Sequence, residues 1–424
     1  LFRGVASSTV SPFEPPPVRR REIFGWCCYD FANSAFTTII ITVVFAPWFI
    51  GVIAAGDSRA PGWWGTALAV SQVAVILVSP LLGAVADVTA RKKVFLMAMA
   101  FGCAIATMLL WFAGAGDLWL ALGLVVVANI AFSLGENLCA SFLPEISTPA
   151  NVGRISAYGW SFGYLGGLLS LVLALAIISS GPGRVPWTFV MTGGFFLVAC
   201  LPTLMLRERA RRRDRAPGET WLRLGWGQLR TMVHELPRHR LLLGFFAAML
   251  CFMAGLTAIV AFAAPFATEV LAMTQAEIIK LFVVLQLAGV AGAWGFGVLQ
   301  DRTGPRIALA VSLGQWIVVC AWAAACTTKV EFYLIGALAG AAMGSLQSGG
   351  RAVVALLTPP GRAGEFFGYW GFFAKLAAVI GQPIFGWVAA WQGYRTAVGV
   401  NGGFFLLGLI ILLTLRLQAG ASRR

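Results

Sequence analysis

Twelve runs of about twenty apolar residues, separated by short polar turns, dominate this chain of 424 residues. In hydrocarbon no water is present to bond an exposed N–H or C=O, so a crossing segment must satisfy its own backbone. Runs of this length do so as α-helices, whereas barrel strands would need only about ten alternating residues. The runs lie at roughly 24–50, 63–86, 93–114, 117–143, 156–180, 187–206, 241–267, 278–300, 307–327, 331–357, 366–390 and 397–416. Only 11% of residues are charged and the mean hydropathy is +0.83. A soluble domain, with about a quarter of its residues charged, is excluded.

One polar stretch breaks the series in two. Residues 207–240 carry ten arginines, and each would cost at least ~2.5 kcal/mol at the bilayer centre, so this stretch is predicted to be a loop in water. Within it Trp221, Leu222, Leu224, Trp226, Leu229 and Val233 recur at helical spacing among arginines, the pattern of an amphipathic helix on the membrane surface. The two sides of the loop repeat each other. Gly83 and Asp87 recur as Gly297 and Asp301, with Arg91 answered by Arg306; Gly135, Glu136 and Pro144 recur as Gly350, Arg351 and Pro359; Gly153 and Tyr158 as Gly364 and Tyr369. The expected organisation is therefore a disordered tail (1–22), a six-helix bundle (23–206), the basic loop (207–240), a second six-helix bundle (241–416) and a short tail (417–424).

The formal charge of +14 is explained by placement rather than by a nucleic-acid partner. With the N-terminus inside, 24 Lys and Arg fall on the cytoplasmic side, 5 on the outer side and two within spans. That bias predicts cytoplasmic termini and attraction to anionic lipid heads at the inner face. All eight cysteines lie in or at the ends of apolar runs, and both histidines, His234 and His239, lie in the central loop. No disulfide framework, metal site or cofactor is expected.

Charged residues well inside the spans are few: Asp30, Glu136, Arg351 and Lys375. Such groups are costly in a membrane and mark pathways or ion pairs. Asn33, Gln72, Asn129, Asn137, Gln286, Gln315 and Gln347, with Trp160, Tyr164 and Trp370, add candidates for the lining of a cavity. The chain offers no intramembrane nucleophile with a base and no Walker-type Gly-Lys-Ser/Thr sequence, so neither an enzyme nor an ATP-driven pump is expected.

The turn after the second run holds Gly83, Asp87, Arg91, Lys92 and Lys93; the turn after the eighth holds Gly297, Asp301, Arg302 and Arg306. A glycine, an aspartate four residues on and a basic turn resemble the cytoplasmic signature of the major facilitator superfamily. In physical terms the glycine admits a neighbouring helix and the aspartate faces the positive N-terminus of another. A closer resemblance rests on Tyr29-Asp30-Phe31-Ala32-Asn33-Ser34, on Ser141-Phe142-Leu143-Pro144-Glu145 with Gly153-Arg154 and Tyr158-Gly159-Trp160, on Gln347 and Arg351, and on Gly364-Glu365 with Lys375. Together these resemble the vacuole-effluxer family, which contains the autophagy-related amino-acid exporter and many bacterial permeases. Met253 and Ala254 stand where many relatives have an acid before Gly255, and Gly350 and Ala352 flank Arg351 where serines are usual; Gln382 precedes Pro383 where a second glycine is common.

The resemblance implies a monomeric twelve-helix secondary transporter of the major facilitator fold in a bacterial inner membrane, exporting a small zwitterionic or amphipathic solute such as an amino acid; proton coupling is expected separately, because Asp30 and Glu136 could titrate if their pairs break. It also implies that helices 4 and 10 face each other, which makes Glu136 and Arg351 a candidate breakable pair. Asp87 is expected near Glu365 at the start of helix 11, and Asp301 near Arg154 at the start of helix 5. The rival reading is a transporter-fold receptor or assembly factor that moves no solute.

Overall fold

The computed structural model describes residues 18–89, 91–146, 152–208, 227, 230, 239–357 and 363–415, and no strand occurs among them. Twelve long helices account for most of these residues. In chain order they are α1 (Arg20–Ile53), α2 (Ala60–Thr89), α3 (Lys92–Leu109), α4 (Leu118–Ala140), α5 (Val152–Ser179) and α6 (Val185–Ala199), then α7 (Arg240–Leu271), α8 (Gln275–Thr303), α9 (Pro305–Ala325), α10 (Lys329–Leu357), α11 (Ala363–Gln392) and α12 (Tyr394–Thr414). Eleven of them are long and apolar enough to cross a membrane; the remaining one, α8, has 29 residues. Most of the predicted N-terminal tail, and the predicted amphipathic helix apart from Gly227 and Arg230, lie outside the described residues.

The first helix starts earlier than the apolar pattern suggests. Arg19 donates its N–H to Glu22 Oε1 at 3.2 Å, satisfying a backbone donor where α1 starts at Arg20. Further along, α1 widens into π-helical turns at Phe36–Val43 and Phe49–Ile53. The run from Thr37 to Val44 is wholly β-branched and crowds the preceding turn, and Pro47 has no N–H to return to the backbone. A helix of fixed sequence length thereby shifts its facing side partway across.

Packing follows the repeat. Within the first half α1 packs on α5 and α6, α3 on α4 and α6, and α2 on α4; within the second half α7 packs on α11 and α12, α9 on α10 and α12, and α8 on α10. Each pair maps onto its counterpart when the halves are exchanged. Equivalent helices run the same way, so the pseudo-twofold axis lies along the helices. Two further pairs, α2 with α11 and α5 with α8, join the halves and are also exchanged by that axis. Since lipid tails are as apolar as the helix surfaces, close packing and interhelical hydrogen bonds hold the bundles together.

Call the end holding Arg20 and Thr414 proximal and the other distal. At the proximal end the halves use the same device. Lys93, at the start of α3, donates Nζ to the carbonyls of Leu204 and Leu206 (3.2 and 3.1 Å), just past α6; Arg306, at the start of α9, donates to Leu413 O near the end of α12. Both cations satisfy carbonyls that a helix end leaves without partners. The repeat aligns Arg306 with Arg91, but Arg91 is exposed and Lys93 is its structural counterpart.

At the distal end Lys329 Nζ lies 2.7 and 2.9 Å from the Glu277 carboxylate, tying α10 to α8. That ammonium, with the Thr274 N–H, holds the Glu277 carboxyl down at about 2. A depressed carboxylate stabilises the fold above its unfolded value, 4.5, and that contribution disappears as pH falls from there toward 2. Lys329→Met should therefore flatten the loss of thermal stability between pH 5 and pH 3, read as Tm of the purified protein at each pH. Equal slopes for parent and variant would show that the pair contributes nothing.

Candidate functional site

Two groups of polar side chains lie near where the halves join. The first is built on α1 and α5. Asp30, Ser34 and Thr38 stand four residues apart on one face of α1 and look across at Gly159, Gly163 and Gly167, also four apart, on α5. A Cβ at 159 would lie 2.5 Å from Asp30 Oδ2, one at 163 would lie 3.0 Å from Ser34 Oγ, and one at 167 would lie 3.1 Å from Thr38 Oγ1 and 2.9 Å from Gln286 Nε2 of α8. The glycines thus leave room for polar side chains where α1 and α5 pack together. Asn33 is buried on the same helix, while Trp160 and Tyr164 put their rings 6.2 Å apart on α5.

The second face is built on α2, α4 and α11. Lys375 Nζ of α11 lies 3.0 Å from Glu136 Oε2 of α4, an ion pair across the two halves. The lysine side chain is 18% exposed and the glutamate 47%, so the pair is reachable by water rather than sealed. Beside Glu136, Asn137 donates to Ser79 Oγ of α2 at 3.0 Å, fixing the end of α4 against α2. Gly65 of α2 meets the backbone carbonyl of Gln382 on α11. Seven residues, two turns, toward the proximal end on each helix lead to Gln72 and Lys375, which share one level and one face. Gln72 is buried, and its Oε1 accepts no hydrogen bond.

Distally the halves are in firm contact. Trp387 donates to Thr66 Oγ1 at 3.1 Å and packs its ring 5.7 Å from that of Trp63; Trp64 donates to Ala261 O at 3.3 Å, and Gln275 to Val43 O at 2.7 Å. Gly386 meets Pro61 O backbone to backbone. The distal end is closed.

The expected partner of Glu136 is Arg351; the described pair is with Lys375, whose long stem spans the gap from α11 to α4. Arg351 lies in α10 with half-buried Gln347, but its side chain is outside the described residues. The same holds for the side chains of Asp87, Asp301, Arg302, Arg154 and Glu365, and for Gly297, so the expected docking of the two aspartates falls there too. Around Gly83, among the described residues, there is open space where a Cβ would project. It borders a cavity of about 110 Å³ between α2, α3 and α4 with Ser79, Asn137 and Lys92. A part-buried ion pair, Lys92 to Glu145 at 3.0 Å, is missed by sequence reasoning; it joins the start of α3 to the short helix Leu143–Ile146 after α4. Both residues lie in motif stretches, but only the packing of α3 on α4 shows that they meet. The fourfold spacing of Asp30, Ser34 and Thr38 is readable and could have flagged the first face.

The family model described as vacuole effluxer Atg22 like matches residues 65–423. The MFS-type transporter YxiO of Bacillus subtilis (strain 168) is 24% identical over 92% of this chain and 93% of its own length. Autophagy-related protein 22 of Yarrowia lipolytica is 22% identical; the match takes in 69% of this chain but 54% of that protein, so the chain spans about half of that relative. A crystal structure of a mutant of the nucleoside transporter NupG superposes with a TM-score of 0.71 over 93% of this chain and 98% of the other, at 15% identity. At that identity the likeness speaks for the fold alone, which is the major facilitator fold.

Proposed function

Because this chain belongs to the vacuole effluxer Atg22-like family, we propose that it exports a small organic solute, an amino acid or similar zwitterion, by alternating access coupled to protons. That it is a multi-pass membrane transporter follows from its relatives; substrate, direction and coupling are our reading. The observation that carries it is the Glu136 and Lys375 pair. An ion pair that joins two halves and is still reached by water can be broken by a solute carrying both charges, its ammonium taking the glutamate and its carboxylate the lysine. Distal closure with this pair intact then represents one stage of a rocking cycle. Arg351, Gln347, Asn33, Trp160 and Tyr164 are proposed to line the path, and Asp87 and Asp301 to brace the proximal turns against α11 and α5.

A thermal-shift screen of the purified protein against amino acids, peptides and small amphiphiles tests the substrate class. A ligand at a hundredfold excess over its Kd stabilises the native state by about 2.7 kcal/mol. The best stabiliser should then be carried by proteoliposomes in an imposed proton gradient. Stabilisation with no flux would favour a receptor; no response to any zwitterion would remove the substrate class.

We assign the proximal end to the cytoplasm on the bias of 24 basic residues to 5. In cells, a cysteine replacing Ala115 should react with a membrane-impermeant maleimide from outside, and one replacing Ala216 should not. The opposite labelling would invert the assignment.

A further inference from the structure

Three apolar spans, beginning at Arg20 and Lys92 and ending at Met205, come together at the proximal end. Between them lies a pocket of about 380 Å³ lined by Arg21, Lys93 and Arg207 and walled by Leu204, Met205 and Leu206. We propose that this pocket binds the phosphate of an anionic phospholipid headgroup.

The three cations are held in different ways. Lys93 has its ammonium fixed by two carbonyls, those of Leu204 and Leu206, which leaves its third N–H directed elsewhere. Arg21 and Arg207, both exposed, approach from α1 and from just past α6. The carboxylates on these segments are Glu208, which accepts the Lys93 N–H at 2.6 Å, and Glu22, which turns back on Arg19. Among the described residues three cations thus converge on one concavity, beside two acids that each accept a backbone N–H.

The apolar walls decide between a lipid and a soluble phosphate. Leu204 and Met205 are 51% and 48% exposed, and Val94 and Leu201 on the adjoining turns are exposed as well. Where spans end, such side chains face acyl chains, so a headgroup in the pocket would keep its tails on an apolar surface. A free phosphate would gain the cations but nothing from those walls. Juxtamembrane basic groups attract anionic lipid, and the attraction falls off within a Debye length.

The test uses the full chain in mild detergent with added phosphatidylglycerol or phosphatidylcholine of identical chains, read by Tm and by native mass spectrometry. Phosphatidylglycerol should raise Tm more than phosphatidylcholine and survive as a bound adduct. In Arg21→Gln/Arg207→Gln its apparent affinity should fall about tenfold or more, with Tm in phosphatidylcholine unchanged; Arg21→Lys/Arg207→Lys should keep most of the binding. Should the double glutamine variant not fold, Arg21→Gln alone is read by adduct retention, with loss expected. Equal effects of the two lipids, or a phosphatidylglycerol response untouched by the glutamine substitutions, would overturn the assignment. An equal Tm rise from soluble glycerol phosphate would overturn the lipid as occupant and leave a phosphate site.

Discussion

Lys375→Met is expected to lower transport at least fivefold while leaving the protein folded. The variant strands Glu136 opposite an apolar side chain at the junction of the halves. Removing one partner of a sealed pair costs ~3–5 kcal/mol, and exposed pairs are worth under ~1. With the lysine 18% and the glutamate 47% exposed, an intermediate ~1–2 kcal/mol is appropriate. That shifts the balance between conformations about 5- to 30-fold, toward the state in which the proximal halves of α4 and α11 separate. Glu136→Lys combined with Lys375→Glu restores opposite charges and should recover part of the flux. Spin labels on α4 and α11 should move apart during the cycle of the parent protein. A constant distance, with normal flux in Lys375→Met, would reduce the pair to a structural tie.

Gly65→Leu should abolish transport by a different route. The new Cβ would fall on the backbone carbonyl of Gln382, which cannot rotate away, so α2 and α11 must separate at their distal ends. Overpacking of this kind costs ~1–3 kcal/mol, borne only by the state that closes there. The distal side should open, and a cysteine at Thr38 or Gln72 should gain reactivity toward impermeant reagents applied from that side. Gly123→Ala, on α4 with open space around it, is the control and should transport normally. Unchanged cysteine reactivity in the Gly65→Leu variant would mean that this contact does not gate.

Much of the fold is legible in the sequence because its rules are coarse. Apolar length specifies the helices, and the recurrence of Gly83 and Asp87 as Gly297 and Asp301 predicts equivalent halves, which the packing pairs bear out. The pairing of side chains is harder to read. Depth along a helix can be counted, and it puts Glu136 and Arg351 at one level with Lys375 in the same half of the membrane. Azimuth cannot be counted once α1 changes pitch at Phe36 or once a lysine stem can reach across a gap. Lys93 shows another limit: three successive basic residues look alike as text, and only the position of the end of α6 selects the one that caps it.

The unlike walls at the junction of the halves bear on how a solute is oriented. A cavity on a twofold axis with identical walls would accept an asymmetric molecule in two equivalent poses, each as good as the other. Here Asp30, Ser34 and Thr38 stand on one flank and Glu136 and Lys375 on the other, while Gln72 and Gln286 occupy matching positions of the repeat. The chemistry lifts the degeneracy that the architecture creates, so the zwitterionic solute we propose would be held with a single head and a single tail direction.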